Sequence, residues 1–340
     1  MTDRERFQQV LHFHRPDRLP AVEWATWWDL TIKRWEKEGL PEDLSYPDGI
    51  SDHLGLDRLR QVWIPATSAA TPLHPESRGV YPFIIRDEAD YEAVLPTLYS
   101  DEVLTGETLE RMKREQAEGA ATWITLEGFF WFPRRLLGVE AHLYAFYDQP
   151  ELIRRINGDL LEYNIRVLER VYDYFTPDFM TVAEDMSYNH GVMCGKTLFD
   201  AFIGPYYRRL MPLIRERGTV PFVDSDGDIT DLVGWMEEVG VEGFLPLERM
   251  AGVDVASLRE RHPRLRLLGA FDKTVMEKGE EAMRAEFERL LPVMRQGGFV
   301  PAVDHQTPPQ CNLENYMIYK KLLWEYAAKA VEQNAERDIV

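Results

Sequence analysis

Cysteine is nearly absent: only Cys194 and Cys311 occur in 340 residues, far apart and in no CxxC pattern. That excludes a disulfide framework and a four-thiolate zinc site. Basic charge is scarce beside acid, with 39 Lys and Arg against 58 Asp and Glu and a formal net charge of −19. Nucleic acid and anionic membranes are thereby disfavoured as partners, since both reward a basic face, although a local group of arginines could still serve a small anionic substrate. No apolar run approaches the roughly eighteen residues of a membrane span. The opening "MTDRERFQQVLHF" reads as a charged amphipathic helix without the apolar core of a signal peptide. Cytoplasm is the expected location. No GxGxxG fingerprint follows any apolar segment, so a dinucleotide-binding sheet has little support. Low-complexity linkers, tandem repeats and sharp composition shifts are missing as well, and residues 1–340 read as a single domain.

What is present is 45% apolar and 12% aromatic residues, enough to bury a substantial core. Thr2 and Glu5 stand in capping-box register ahead of a helix whose Phe7, Val10 and Leu11 share one side. The last six residues of "RPDRLPAVEW", 19–24, read as a first strand. From residue 120 the segments "TWITLEG", "DFMTVAED", "VPFVDSDG", "EGFLPLE", "LRLLGAFD" and "GFVPAVDH" alternate with helical stretches or turns. One such helix carries Met283, Phe287, Leu290, Leu291 and Met294 at helical spacing before Gly297 and Gly298. This βα rhythm implies parallel strands with right-handed crossovers. A further strand in "RQVWIP" or "PFIIRD" brings the count to about eight, which predicts an α/β fold, a single TIM (β/α)8 barrel with extra N-terminal helices.

In such a barrel the C-terminal strand ends converge on the face that holds the active site. Acids sit at these ends: Glu127, Glu184 and Asp185, Asp224 and Asp226, Glu248, Asp272, and Asp304 beside His305. A single acid after a strand is more often a helix cap, and Asp228 fits that role. A set of acids that meet, however, repel one another unless a cation or shared protons compensate. The expectation is that at least three of Asp224, Asp226, Glu248 and His305 share one site. His305 lies where a strand meets a proline-bearing loop over the barrel mouth, with access to a substrate, and imidazole can ligate a metal or move a proton near neutral pH. Cys311 is a weaker candidate for a thiolate ligand, since a lone cysteine is usually inert.

Aromatic residues cluster in "EWATWWDL" and "GFFWFPRRLLG". Most such side chains belong to a core, yet Trp24, Trp27 and Trp28 follow the first expected strand and Phe129, Phe130 and Trp131 the next. Trp24, Trp27 and Phe130 are candidates for an aromatic wall suited to a flat or apolar substrate, with Glu127, Glu184 and Asp185 as its polar neighbours. Arg134 and Arg135 are the nearest positive charges.

The stretches "MTDRERFQQVLHFHRPDRLP", "LEGFFWFPRRLLGVEAHLYAFYDQPELIRRI", "EDMSYNHGVMCGKTLFDAFIGPYYRRL", "LLGAFDKTVMEKG" and "GGFVPAVDHQTPPQCNLENY" together resemble the uroporphyrinogen decarboxylase superfamily. The likeness spans nearly the whole chain and is weakest over residues 40–120. It implies a single TIM barrel, and an activity of one of two kinds: decarboxylation in heme biosynthesis, or methyl exchange with corrinoid proteins, usually onto a thiol. The decarboxylases share an "RQAGRY"-like segment whose arginines hold the substrate carboxylates; here that place reads "EWATWWDL", with no arginine. The thiol methyltransferases carry a His-x-Cys pair where this chain has Asp224-Ser225-Asp226, so Asp224 falls at the histidine ligand and Asp226 at the cysteine ligand. Their later cysteine is replaced by the region of Asp304 and His305, unless Cys311 takes its role. The resemblance therefore implies a metal position whose chemistry has hardened toward oxygen.

The first expectation is a methyltransferase-like enzyme. It would hold one divalent metal, zinc being one candidate, through Asp224, Asp226 and His305, with Glu248 as a further ligand or base. No DxHxxG motif is present, so cobalamin would arrive on a partner corrinoid protein; a homodimer is also compatible with the sequence. The alternative is a decarboxylase, of uroporphyrinogen or of a smaller acid, with Asp224 or Asp304 protonating a carbanion. A noncatalytic binding barrel is the third reading, favoured if the strand-end acids pair with arginines or cap helices.

Overall fold

The computed structural model describes residues 1–72 and 85–332. Short apolar segments form β1 (Leu59–Ile64), β2 (Ala121–Glu127), β3 (Phe179–Ala183), the hairpin β4 (Ser187–Tyr188) and β5 (Gly191–Val192), then β6 (Val220–Asp224), β7 (Gly243–Leu245), β8 (Arg266–Phe271) and β9 (Phe299–Val303). Seven of them pair in parallel in the order β1-β2-β3-β6-β7-β8-β9, a TIM-like barrel wall. Strands β2, β3, β7 and β9 are buried along their full length, as parallel strands are when helices cover one face and packed side chains the other. The pairing sets Glu127 beside Ala183, Ala183 beside Asp224 and Asp224 beside Leu245. Residues that follow these positions therefore emerge at one rim.

The wall departs from the expected count at residues 19–24, which form no ladder. Pro20 has no N–H to give. The Ala21 N–H goes to Asp57 Oδ2 at 2.9 Å, and the Asp57 N–H returns to Ala21 O at 2.9 Å. One aspartate thus satisfies a backbone that would otherwise need a neighbouring strand. The segment still runs along β9: Trp24 Nε1 donates to Val303 O at 2.9 Å, and Trp27 makes a parallel bridge with Thr307. Of the two candidates for another strand, "RQVWIP" supplies β1, while "PFIIRD" begins outside the described residues.

Local signals explain the helices that close the barrel. Thr2 and Glu5 cap the helix Asp3–Leu11 reciprocally, at 2.8 and 3.1 Å, and Phe7, Val10 and Leu11 are buried. Met283, Phe287, Leu290, Leu291 and Met294 all face inward from the helix Glu280–Met294. Phe287 stacks on Tyr326 of the last helix, Leu313–Glu332, with ring centroids 5.1 Å apart. Among the described residues no helix is long and apolar enough to cross a membrane.

Beneath the 19–27 segment lies a buried acid. Glu23 Oε2 accepts from the Tyr316 hydroxyl at 3.3 Å, while Oε1 is left without a hydrogen bond among the described residues. Burial above all, with Asp304 nearby, pushes this carboxyl up to about 8 from its ordinary 4.5. The folded chain therefore keeps a proton that the unfolded chain has lost, and stability falls as pH rises through that interval, by about 1.4 kcal/mol per pH unit at most. Glu23→Gln, which carries no titratable proton, is expected to unfold at a higher denaturant concentration than the parent, with a gap that widens from pH 5 to pH 8 and then levels. Urea titrations across that range test it; a constant gap refutes the assignment.

Candidate active site

The strand ends open on a cavity of about 320 Å³. Its apolar side is built from four indoles: Trp63 of β1, Trp123 of β2, Trp131 just beyond β2, and Trp24 of the segment along β9. Its ionisable side is Asp185, Asp224, Asp226 and His305. Alternation along β1 points Gln61 and Trp63 to the same face, and Gln61 Nε2 donates to Thr125 Oγ1 at 2.8 Å. Neither Gln61 nor Trp63 was singled out from the sequence. The period-two pattern of "RQVWIP", continued from an inward Gln61, is the signal that would have found them.

The acidic stretch "DSDGD" is a turn with a different task for each residue. Asp224 ends β6, and its carbonyl accepts from the Glu184 and Asp185 amides at 2.9 and 3.1 Å. Ser225 turns away, its hydroxyl accepting from the Met186 amide at 3.1 Å. Asp226 Oδ2 faces His305 Nε2 at 3.6 Å. Gly227 has φ of 82°, and a Cβ there would lie 2.6 Å from the Tyr188 backbone, so only glycine fits this position. Its N–H donates to Glu248 Oε2 at 3.0 Å. Asp228 accepts from the Thr230 amide at 3.0 Å in the turn ahead of the helix Leu232–Glu237, whose own N-cap is Asp231 rather than the expected Asp228.

Electrostatics separate these groups. No donor among the described residues meets the Asp224 carboxylate; burial first, then repulsion from Asp226, Asp185 and Glu248, raises its pKa well above 3.8. Burial opposes a charged His305, but the Asp226 carboxylate outweighs it and holds the imidazole pKa above 6.5. The cavity thus combines a carboxyl whose charge is disfavoured with an imidazole whose protonation is favoured, an arrangement able to hold or move a proton at a bound molecule.

Most of the other strand-end acids are engaged in structure. Glu184 is fully buried and accepts from the Phe129 and Phe130 amides at 2.9 and 2.7 Å and from the Tyr207 hydroxyl at 2.7 Å. It caps the helix Trp131–Leu137 rather than facing a substrate. Glu127 is buried against Arg135, behind the cavity wall. Asp185 lines the cavity but is bound by Arg134, whose Nη1 also donates to Asp185 O at 2.7 Å. Glu248 pairs with Lys273 Nζ at 3.1 Å and reaches the cavity only through its field. Asp304 is fully buried and accepts from the Arg249 and Lys273 amides at 3.0 and 3.1 Å; Asp272 caps Thr274 at 2.8 Å.

The aromatic candidates divide likewise. Trp24 lines the cavity, but Trp27 packs against Trp35 and Tyr316 in the core, and Phe130 lies fully buried against His142 and Phe146. The side chain next to Phe130, Trp131, takes the place in the wall. Arg134 stacks over Trp131 at 4.6 Å, so both arginines of the "FPRRLL" run are already bound.

Asp224, Asp226 and His305 border one cavity, yet among the described residues no three His, Cys, Asp or Glu side chains are placed to hold an ion. Cys311 lies buried outside the cavity with Sγ 3.5 Å from Asn312 O, and burial pushes its thiol up to about 12; Cys194 is held similarly high. Neither offers a thiolate.

A family model described as uroporphyrinogen decarboxylase (URO-D) matches residues 87–326. The chain belongs to the uroporphyrinogen decarboxylase family. Its fold is similar to that of a methyltransferase from Methanosarcina mazei, at 17% identity and TM-score 0.66 over 96% of this chain and 99% of that one. A provisionally named vitamin-B12 independent methionine synthase from Listeria monocytogenes aligns over 68% of this chain and 70% of its own, at 13% identity and TM-score 0.39. No curated protein matches. Within this uroporphyrinogen decarboxylase barrel the cavity sets an indole wall facing Asp224 and the Asp226–His305 pair.

Two outcomes follow from this geometry. In a proton NMR titration, Asp226→Asn is expected to lower the His305 pKa; an unchanged value would show that the two side chains do not interact. Glu184→Ala removes the acceptor of two buried amides and is expected to destabilise the fold by about 3 kcal/mol or more, with Glu184→Gln intermediate in urea unfolding.

Proposed function

We propose that this chain is a cytoplasmic small-molecule methyltransferase of the uroporphyrinogen decarboxylase family that works with a separate corrinoid protein. The observation that carries this reading is that no lysine or arginine lines the cavity among the described residues. A decarboxylase of a polycarboxylate needs guanidinium or ammonium groups to hold its substrate. Here Arg134 is bound to Asp185, Arg135 to Glu127 and Lys273 to Glu248. The indoles suit methyl groups and exclude water, and the similarly folded M. mazei protein is a methyltransferase by name. In this reading Trp24, Trp63 and Trp131 orient the substrate, while Asp224 gives or holds a proton at the heteroatom that loses its methyl group. The Asp226–His305 pair fixes the orientation of the imidazole at the same atom.

The test supplies purified protein with free cob(I)alamin and a panel of N-, O- and S-methylated small molecules, and follows formation of methylcobalamin by absorbance. Transfer from at least one donor is expected, reduced tenfold or more in Asp224→Asn. Release of carbon dioxide from a carboxylic acid panel, with no methyl transfer, would overturn the reading in favour of a decarboxylase.

A further inference from the structure

The lining of the cavity narrows the class of molecule it accepts. Four indoles alone would fit any flat apolar compound, but such a compound gives no reason to leave carboxylates in the same cavity, where burial is costly. A carboxylate or phosphate would meet Asp185, Asp224 and Asp226 with no lysine or arginine in the lining among the described residues. A neutral polyol would need many donors and acceptors, and the indole wall offers few. The pairing of aromatic faces with carboxylates is the combination that attracts a diffuse organic cation, through the ring quadrupoles and through opposite charge.

We propose that the cavity binds a small onium cation, a methylated ammonium or sulfonium, with its charge near Asp224 and Asp226 and its methyl groups against Trp24, Trp63 and Trp131. Asp224 is the group best placed to respond. Asp185 is already neutralised by Arg134 and Asp226 faces His305, whereas Asp224 has no partner among the described residues. A cation arriving there relieves the mutual repulsion of the three carboxylates instead of displacing an existing ion pair. The inference rests on the methyltransferase reading for the role of the bound molecule, though not for the binding itself.

Isothermal calorimetry on the full chain tests it with probes of one shape and different charge: choline, its neutral carbon isostere 3,3-dimethylbutan-1-ol, and the anion pivalate. Choline is expected to bind at least tenfold more tightly than the neutral isostere, and pivalate not at all. Tetramethylammonium against trimethylsulfonium then decides which onium is preferred. Asp224→Asn, isosteric with the parent, should cost tenfold or more in choline affinity, and Trp131→Leu several-fold, with melting curves showing that both variants fold. Equal affinity for choline and 3,3-dimethylbutan-1-ol, tighter binding of pivalate, or no binding of any cation would overturn the proposal. The two readings fail separately: cation binding without transfer to cob(I)alamin retains this inference and sinks the methyltransferase. Transfer from a neutral donor with no cation binding does the reverse.

Discussion

Much of the cavity wall hangs from the carboxylate of Glu184. The first amides of a helix have no partner within it, and those of Phe129 and Phe130 open in a dry interior where water cannot serve. Glu184, arriving from the end of β3, accepts from both and from Tyr207. The contact is tight enough to constrain the chain opposite: a Cβ on Gly128 would stand 2.3 Å from the Glu184 carboxyl carbon. With the turn fixed in this way, Trp131 stands in the wall, Arg134 stacks behind it, and the same arginine binds Asp185 at the rim. A buried acid and a missing side chain together decide where an indole and a guanidinium can go.

The same economy explains how an acidic chain tolerates so many carboxylates at one end of a barrel. Each is answered locally: Glu127 by Arg135, Asp185 by Arg134, Glu248 by Lys273, Asp304 by two amides, Asp272 by Thr274. Removing one partner of such a pair leaves a charge that neither water nor protein stabilises, so these pairings are requirements of the fold rather than ornaments of a site. They are also why the cations near the cavity cannot be counted as substrate ligands.

The sequence made most of the barrel strands legible because they are short apolar runs, four of them buried along their full length, and it made the caps legible because Thr2 and Glu5 stand at capping distance. It failed at residues 19–24, where Pro20 and the side chain of Asp57 replace a ladder with contacts that no local pattern records. At the rim it could rank positions but not directions. Glu184 and Asp185 are adjacent, yet one points into the wall and the other into the cavity, and Asp185 does so with φ of 39°. Phe130 and Trp131, or Trp24 and Trp27, divide between core and cavity in the same way. A one-residue rotation separates these fates, and it is set by bonds to residues dozens of positions away.

Asp224 is the exception that the structural account does not absorb. It sits at the strand end in register with Ala183 and Leu245, where a neutral residue would end β6 equally well, and burial plus three neighbouring acids penalise its charge. A side chain whose charge is penalised and which meets no donor among the described residues is the kind of local inconsistency expected at a functional position. The resemblance to thiol methyltransferases sharpens the point, since it sets Asp224 and Asp226 where imidazole and thiolate ligands would stand. Replacing soft donors by carboxylates weakens the case for a thiol-activating zinc, and with Cys311 buried elsewhere no thiolate restores it. What remains at that position is a pair of carboxyl groups beside an indole wall. Chemistry there has to begin from a molecule that benefits from both.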